Sequence, residues 1–283
     1  MLPKREQARL RGCSQRREDR DPSPFNPSHD GPASLADGHD EPGVTHESHV
    51  IRQGWLPPRN DAKEKSYLFP VEEAAFHSNQ RVPLVRRLLV GLCAREGLRK
   101  ENAVTLKWCD LTFQSNGEVM ISLDTTKNGR GGAWVLDPAT AEALRRWHTI
   151  CPSETFVFPA SALPQHRDTD DRPMYVDHLA DQLRDGLQKA GVKREKLFER
   201  GANRIRLRAH DLRATFVTLA LANGRTEDWV STRTGHGSSQ MIALYRRQAK
   251  TAVELRLGWL KPLHEIIPEL AGLGAQKRGR GRR

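Results

Sequence analysis

The chain has 283 residues, enough for one large domain with extensions or for two small domains. Lys and Arg outnumber Asp and Glu by 46 to 35, and the net charge of +11 suits a partner that is a polyanion. No apolar stretch reaches the roughly 18 residues of a membrane helix, and the N-terminus lacks the apolar core of a signal peptide. Cys13, Cys93, Cys109 and Cys151 form no CxxC pair and no cluster with histidine, which argues against structural zinc or a disulfide framework and for a reducing cytoplasm.

In chain order, residues 1–65 are rich in Arg, Asp, Pro, Gly, Ser and His, with sparse apolar residues and no period. Such a segment buries too little surface to offset its ordering entropy, and it is expected to be disordered. Val71–His77 and Leu84–Glu96 read as helices; in the second, Leu84, Leu88, Leu89, Leu92 and Cys93 share one face. Glu101–Asp110 reads as a third helix with Ala103, Val104 and Leu106 inward. The period then changes. Val119–Leu123 reads as a strand, Asn128-Gly129 as a turn and Ala133–Leu136 as the return strand.

Helical spacing resumes at Pro138–Trp147 and at Val176–Ala190, where Leu179, Leu183 and Leu187 recur every fourth residue. His210–Asn223 is a strongly apolar helix with Gly224 suited to its C-terminal cap, and Thr226 can cap a further helix toward Gly235. Beyond residue 250, Trp259, Leu263, Ile266, Ile267 and Leu270 keep helical spacing across Pro262 and Pro268. Residues 251–275 therefore either pack on the parent domain or dock onto a partner. Residues 276–283 form a second basic tail. The fold class implied is mainly α with a small antiparallel β-sheet.

Several polar residues stand in or beside these apolar elements. Arg99 is either a clamp on carbonyls or an anion ligand. His210 and Arg213 are three apart at the start of a helix, where free N–H groups and the dipole also favour an anion. The alternative there is an ion pair with Asp211 or a histidine bonded to a carbonyl. Lys127 precedes the Asn-Gly turn, as a solvated or a swinging lysine. His236 follows Gly235, and Tyr245 comes nine residues later as a packing residue or a nucleophile.

Taken in order, these residues carry a resemblance. GLRKENAVTLKWCDL resembles the first arginine box of the tyrosine recombinases, the phage-integrase type, and TTKNGRGGAWVL resembles their lysine hairpin. HDLRATFVTLALANG is similar to the second box and RTGHGSSQMIALYRR to the third, which ends in the nucleophile. The resemblance covers roughly residues 66–250 and implies that family's catalytic domain. It implies that Tyr245 attacks a DNA phosphate to give a 3′-phosphotyrosine. Arg99, Arg213 and His236 would stabilise the transition state, His210 would act as base or orienting group, and Lys127 would give a proton to the departing 5′ oxygen. It implies double-stranded DNA as partner, a tetramer for complete strand exchange, no metal or other cofactor, and a place in the cytoplasm at the bacterial nucleoid. The chain departs from the family at Asn102, where Glu is frequent, and at Thr234, where Leu is frequent. No complete DNA-clamping domain is expected within residues 1–65. The competing reading is an integrase remnant that holds DNA without recombining it. A type IB topoisomerase shares the chemistry but not the integrase-like segment between His236 and Tyr245.

Overall fold

A computed structural model describes residues 65–123, 132–167, 170–201, 205–235 and 239–279. The expectations for residues 1–64, Lys127, the Asn128-Gly129 turn, His236 and residues 280–283 lie outside the described residues.

The centre is a stack of three helices. Helix α2 (Leu84–Glu96) packs on α6 (Asp211–Ala222), and α6 packs on α8 (Ser239–Glu254). Residues 211–220 of α6 are buried on every face, which explains why that stretch is apolar all round rather than on one stripe. Helix α7 (Glu227–Thr234) joins α6 to α8. Thr226 caps its start by accepting from Trp229 N, and Gly235 closes its end at φ +62. Helix α1 (Pro70–Ser78) lies against α2 and against α5 (Leu179–Lys189). The α5 helix begins three residues later than its apolar spacing predicts, because Val176 instead accepts from Leu179 N in a preceding turn.

The third helix is shorter than expected. It spans only Lys100–Val104 (α3), and the chain then turns at Thr105. Ala103, Val104 and Leu106 do face inward. After them, however, Lys107 pairs with Phe156, Trp108 N donates to Thr155 O, and Trp108 Nε1 donates to Ser153 O. These long-range bonds extend the backbone into a strand absent from the sequence reading, β1 (Leu111–Phe113). It pairs antiparallel with β2 (Val119–Leu123), Leu111 opposite Ile121. Strand β3 (Gly132–Val135) completes a three-stranded meander in the order β1-β2-β3, with Ile121 opposite Trp134.

Helix α4 (Pro138–His148) starts at Asp137, whose carboxylate caps Ala139 N and Thr140 N. The chain after residue 254 returns to this region. Pro262 precedes α9 (Leu263–Ile266), and Pro268 opens α10 (Pro268–Gly279). Leu260, Leu263, Ile267 and Leu270 join the main apolar core against α4 and α1. Buried charges reinforce this closure. Arg95 holds Glu73 through both carboxylate oxygens and donates to Lys261 O at 2.7 Å, and Arg87 pairs with Glu269. This segment packs on its own domain.

Candidate active site

The site starts at the C-terminal end of α2. Gly97 closes that helix at φ +67, a conformation that favours glycine. A Cβ at this position would lie 2.5 Å from Phe216 Cδ1 and 3.0 Å from Thr234 Cγ2, so α6 and α7 approach only because none is present. The Gly97 carbonyl accepts from Arg213 Nη1 at 2.7 Å. Arg213 is 4% exposed, and among the described residues its Nε and Nη2 have no hydrogen-bond partner. Burial and then the neighbouring charge of Arg99 lower its pKa to about 10, against the opposing effect of Tyr245. The group remains charged at neutral pH. Leaving two donor nitrogens of a buried cation unsatisfied costs about 1–3 kcal/mol or more, unless an anion supplies the acceptors. Arg99 stands beside it as the N-terminal cap of α3, half-buried.

His210 precedes the first residue of α6 and is exposed. Burial of part of its ring, then the Arg213 charge, pull its pKa below the ordinary histidine value. The ion pair anticipated with Asp211 goes elsewhere. The buried Asp211 carboxylate binds Arg208, three residues earlier, accepting from its backbone N at 2.8 Å and from Nη2 at 2.9 Å. That leaves His210 facing Arg213 and Lys65 rather than paired with the acid next to it.

Tyr245 lies one and a half turns into α8 and is 1% exposed. Its ring packs with Tyr67, Phe216, Val217, Val230 and Ile242. Its hydroxyl accepts from Lys65 Nζ at 3.1 Å, and that ammonium lies 4.9 Å from the ring centroid. The charge of its phenolate form acts on both Arg213 and Arg208. The structure thus brings Arg99, His210, Arg213 and Tyr245 into one electrostatic neighbourhood. Lys127 and His236 lie outside the described residues, but the elements flanking them converge here too.

Those elements meet on Glu96. Its buried carboxylate accepts from Asp137 N at 2.9 Å, from Trp134 Nε1 at 3.1 Å and from Arg233 Nη1 at 3.3 Å. Arg233 also donates to Val135 O. One carboxylate therefore ties the end of α2 to β3, to the start of α4 and to α7. Burial raises the Glu96 pKa to about 7 against these three donors.

The sequence reading missed Glu96, Arg208 and Lys65. Arg208 had a signal in its spacing of three from Asp211. Lys65 had none, because its contact crosses 180 residues. Among the described residues, no three His, Cys, Asp or Glu side chains gather as metal ligands, and no helix is long and apolar enough to cross a membrane.

Residues 71–252, well over half of the chain, match the model of the phage integrase family. Among solved structures, the chain is similar to XerH site-specific recombinase in a post-cleavage complex with a palindromic difH substrate. The match has 22% identity and a TM-score of 0.50, and it covers 69% of this chain and 53% of that one. It is also similar to XerA recombinase, at 17% identity and a TM-score of 0.50, covering 71% of this chain and 66% of that one. The chain thus spans about half the length of XerH. At these identities the likeness is one of fold: mainly α with a small antiparallel sheet, as in tyrosine-recombinase catalytic domains. No curated protein matches the sequence.

Proposed function

The chain belongs to the phage integrase family, and from that premise we propose that it cuts and rejoins double-stranded DNA through a transient 3′-phosphotyrosine at Tyr245. The observation that carries this reading is Arg213, a buried guanidinium beside Arg99 and near the Tyr245 phenol, whose Nε and Nη2 have no hydrogen-bond partner among the described residues. A phosphate seated there would accept from both nitrogens, and the two guanidiniums would share its charge. As the phosphorus becomes five-coordinate, Arg99, Arg213 and His236 stabilise the oxygens where charge develops. His210 takes the phenol proton and Lys127 supplies one to the departing 5′ oxygen. Because the phosphotyrosine conserves the energy of the phosphodiester, rejoining needs no ATP.

The net charge of +11 supports DNA as partner. Complete strand exchange would proceed in a tetramer at the nucleoid. Leu244 and Val253 on α8, with Leu255 just beyond it, expose large apolar side chains that a second copy would cover.

The test is a pool of nicked duplexes drawn from the DNA flanking the gene. Incubation with the full chain should trap a denaturation-resistant protein–DNA adduct, absent with Tyr245→Phe although that variant still binds the duplex. An adduct that persists in the Phe variant reassigns the nucleophile. Binding with no adduct anywhere in the pool replaces the enzyme with a DNA-holding protein.

A further inference from the structure

One neighbour of the Tyr245 hydroxyl belongs to none of the four motif boxes. Lys65 enters from the segment before α1, yet its ammonium meets the Tyr245 hydroxyl at 3.1 Å. The segment is firmly held. The Lys65 carbonyl accepts from Gln248 Nε2, one turn beyond Tyr245 on the same helix, and Gln248 Oε1 in turn accepts from Thr218 of α6. The next residue, Ser66, bonds Lys196 O at 3.2 Å and Ile205 O at 3.3 Å. Leu68 N donates to Thr215 Oγ1 at 3.0 Å, and Tyr67 packs in the same apolar cluster as the Tyr245 ring. Helix α8 therefore fixes both ends of the contact: the phenol directly, and the lysine through Gln248. A surface lysine with a loose stem would average its position away, whereas this one is aimed.

We propose that Lys65 is a further catalytic residue, whose ammonium stabilises the Tyr245 oxygen whenever that oxygen carries negative charge. The proposal rests on Tyr245 being the nucleophile. In cleavage, the bond from Tyr245 Oη to phosphorus forms and the bond from phosphorus to the 5′ oxygen breaks. The phenol proton goes to His210, and the 5′ oxygen takes one from Lys127. In rejoining, a 5′ hydroxyl attacks phosphorus and returns its proton to Lys127, the bond from phosphorus to Tyr245 breaks, and its electron pair returns to the phenol oxygen, which regains its proton from His210. Lys65 keeps its three protons throughout and contributes charge and one hydrogen bond. A phenolate oxygen can accept that bond on one lone pair and present another to phosphorus. Lys127 would serve the leaving oxygen on the DNA side, and Lys65 the oxygen on the protein side. The lysine charge also reaches His210, where it disfavours the protonated ring and so keeps it able to accept the phenol proton.

The experiment uses the duplex recovered from the flanking-DNA pool, with the full chain and its Lys65→Met and Lys65→Arg variants. Adduct formation is followed in single turnover. Rejoining is followed by adding an excess of free 5′-hydroxyl strand to the isolated adduct. Lys65→Met keeps the aliphatic stem and should slow both steps about tenfold or more, with melting temperature and duplex affinity retained. Lys65→Arg keeps the charge and should stay within about threefold of the parent chain. Parent rates in the Met variant would overturn the proposal, and so would equal losses in Met and Arg, which mark an anchoring role only. If the parent chain forms an adduct and the Met variant matches it, Lys65 alone loses its role; if the parent chain forms none, the assignment of Tyr245 falls and Lys65 falls with it.

Discussion

Replacing Glu96 by Gln should remove a pH dependence from the stability of the fold. The folded-state pKa of Glu96 is raised from 4.5 to about 7 by burial, which outweighs the donors Asp137 N, Trp134 Nε1 and Arg233. A carboxyl that binds its proton more tightly when folded contributes most below its unfolded pKa. That contribution is withdrawn as pH rises through the folded pKa. The shift of about 2.5 units, at about 1.4 kcal/mol each, amounts to about 3 kcal/mol lost between pH 4.5 and pH 7. Glutamine keeps an acceptor for Asp137 N or Trp134 and cannot ionise. Urea unfolding at steps across that window, for the parent and Glu96→Gln, gives the difference in stability at each pH. That difference should change by about 3 kcal/mol in favour of the variant as pH rises. A flat difference would show that Arg233 and the two N–H donors hold Glu96 ionised throughout, and the argument from burial would fail.

Gly97→Ala should destabilise the fold by about 2–4 kcal/mol in urea unfolding, since it combines a left-handed φ with a Cβ 2.5 Å from the Phe216 ring. Arg95→Met should cost about 3–5 kcal/mol in the same assay, because it strands the buried Glu73 carboxylate and frees Lys261 O. Burial pushes the Glu73 pKa up, but Arg95 and then His77 bring it down to about 2; its stabilisation is therefore present above pH 4.5 and lost as pH falls toward 2, a loss that acid titration of the Arg95→Met variant should no longer show in full. Arg213→Lys should lower single-turnover adduct formation about a hundredfold or more, since an ammonium offers no bidentate fork; an unchanged rate would remove Arg213 from the phosphate site.

The helices that line the site were legible because their signals are local. Leu88, Leu89 and Leu92 repeat within α2, Thr226 caps α7 from one residue away, and Gly224 and Gly235 stop their helices by φ alone. The strand β1 was not legible for the opposite reason. Ala103 and Leu106, three apart, fit a helical face, and nothing local marks the turn and strand that follow. The choice is made by Thr155, Phe156 and Ser153, some 45 residues away. The same division runs through the site. Arg99, His210, Arg213 and Tyr245 stand in boxes whose spacing marks them. Glu96 and Lys65 act only through partners that the fold brings in, Arg233 for one and Tyr245 for the other.

The charges of this site explain why it needs so much packing around it. Lys65, Arg99, His210 and Arg213 crowd together, while the nearest acid, Asp211, is taken by Arg208. Like charges this close oppose folding in proportion to their burial. The site therefore persists because the apolar stack of α2, α6 and α8 fixes it: Gly97 lets α6 close on α2, and Tyr67 and Phe216 bury the phenol. An anion that entered would relieve the repulsion and satisfy Arg213. Preorganisation of this kind stabilises an added negative charge at the moment it appears, because the protein does not have to reorganise to meet it. The burial of Tyr245 belongs to the same arrangement: its phenol is held in the field of an ammonium and two guanidiniums, which on the proposed mechanism would favour its negative charge.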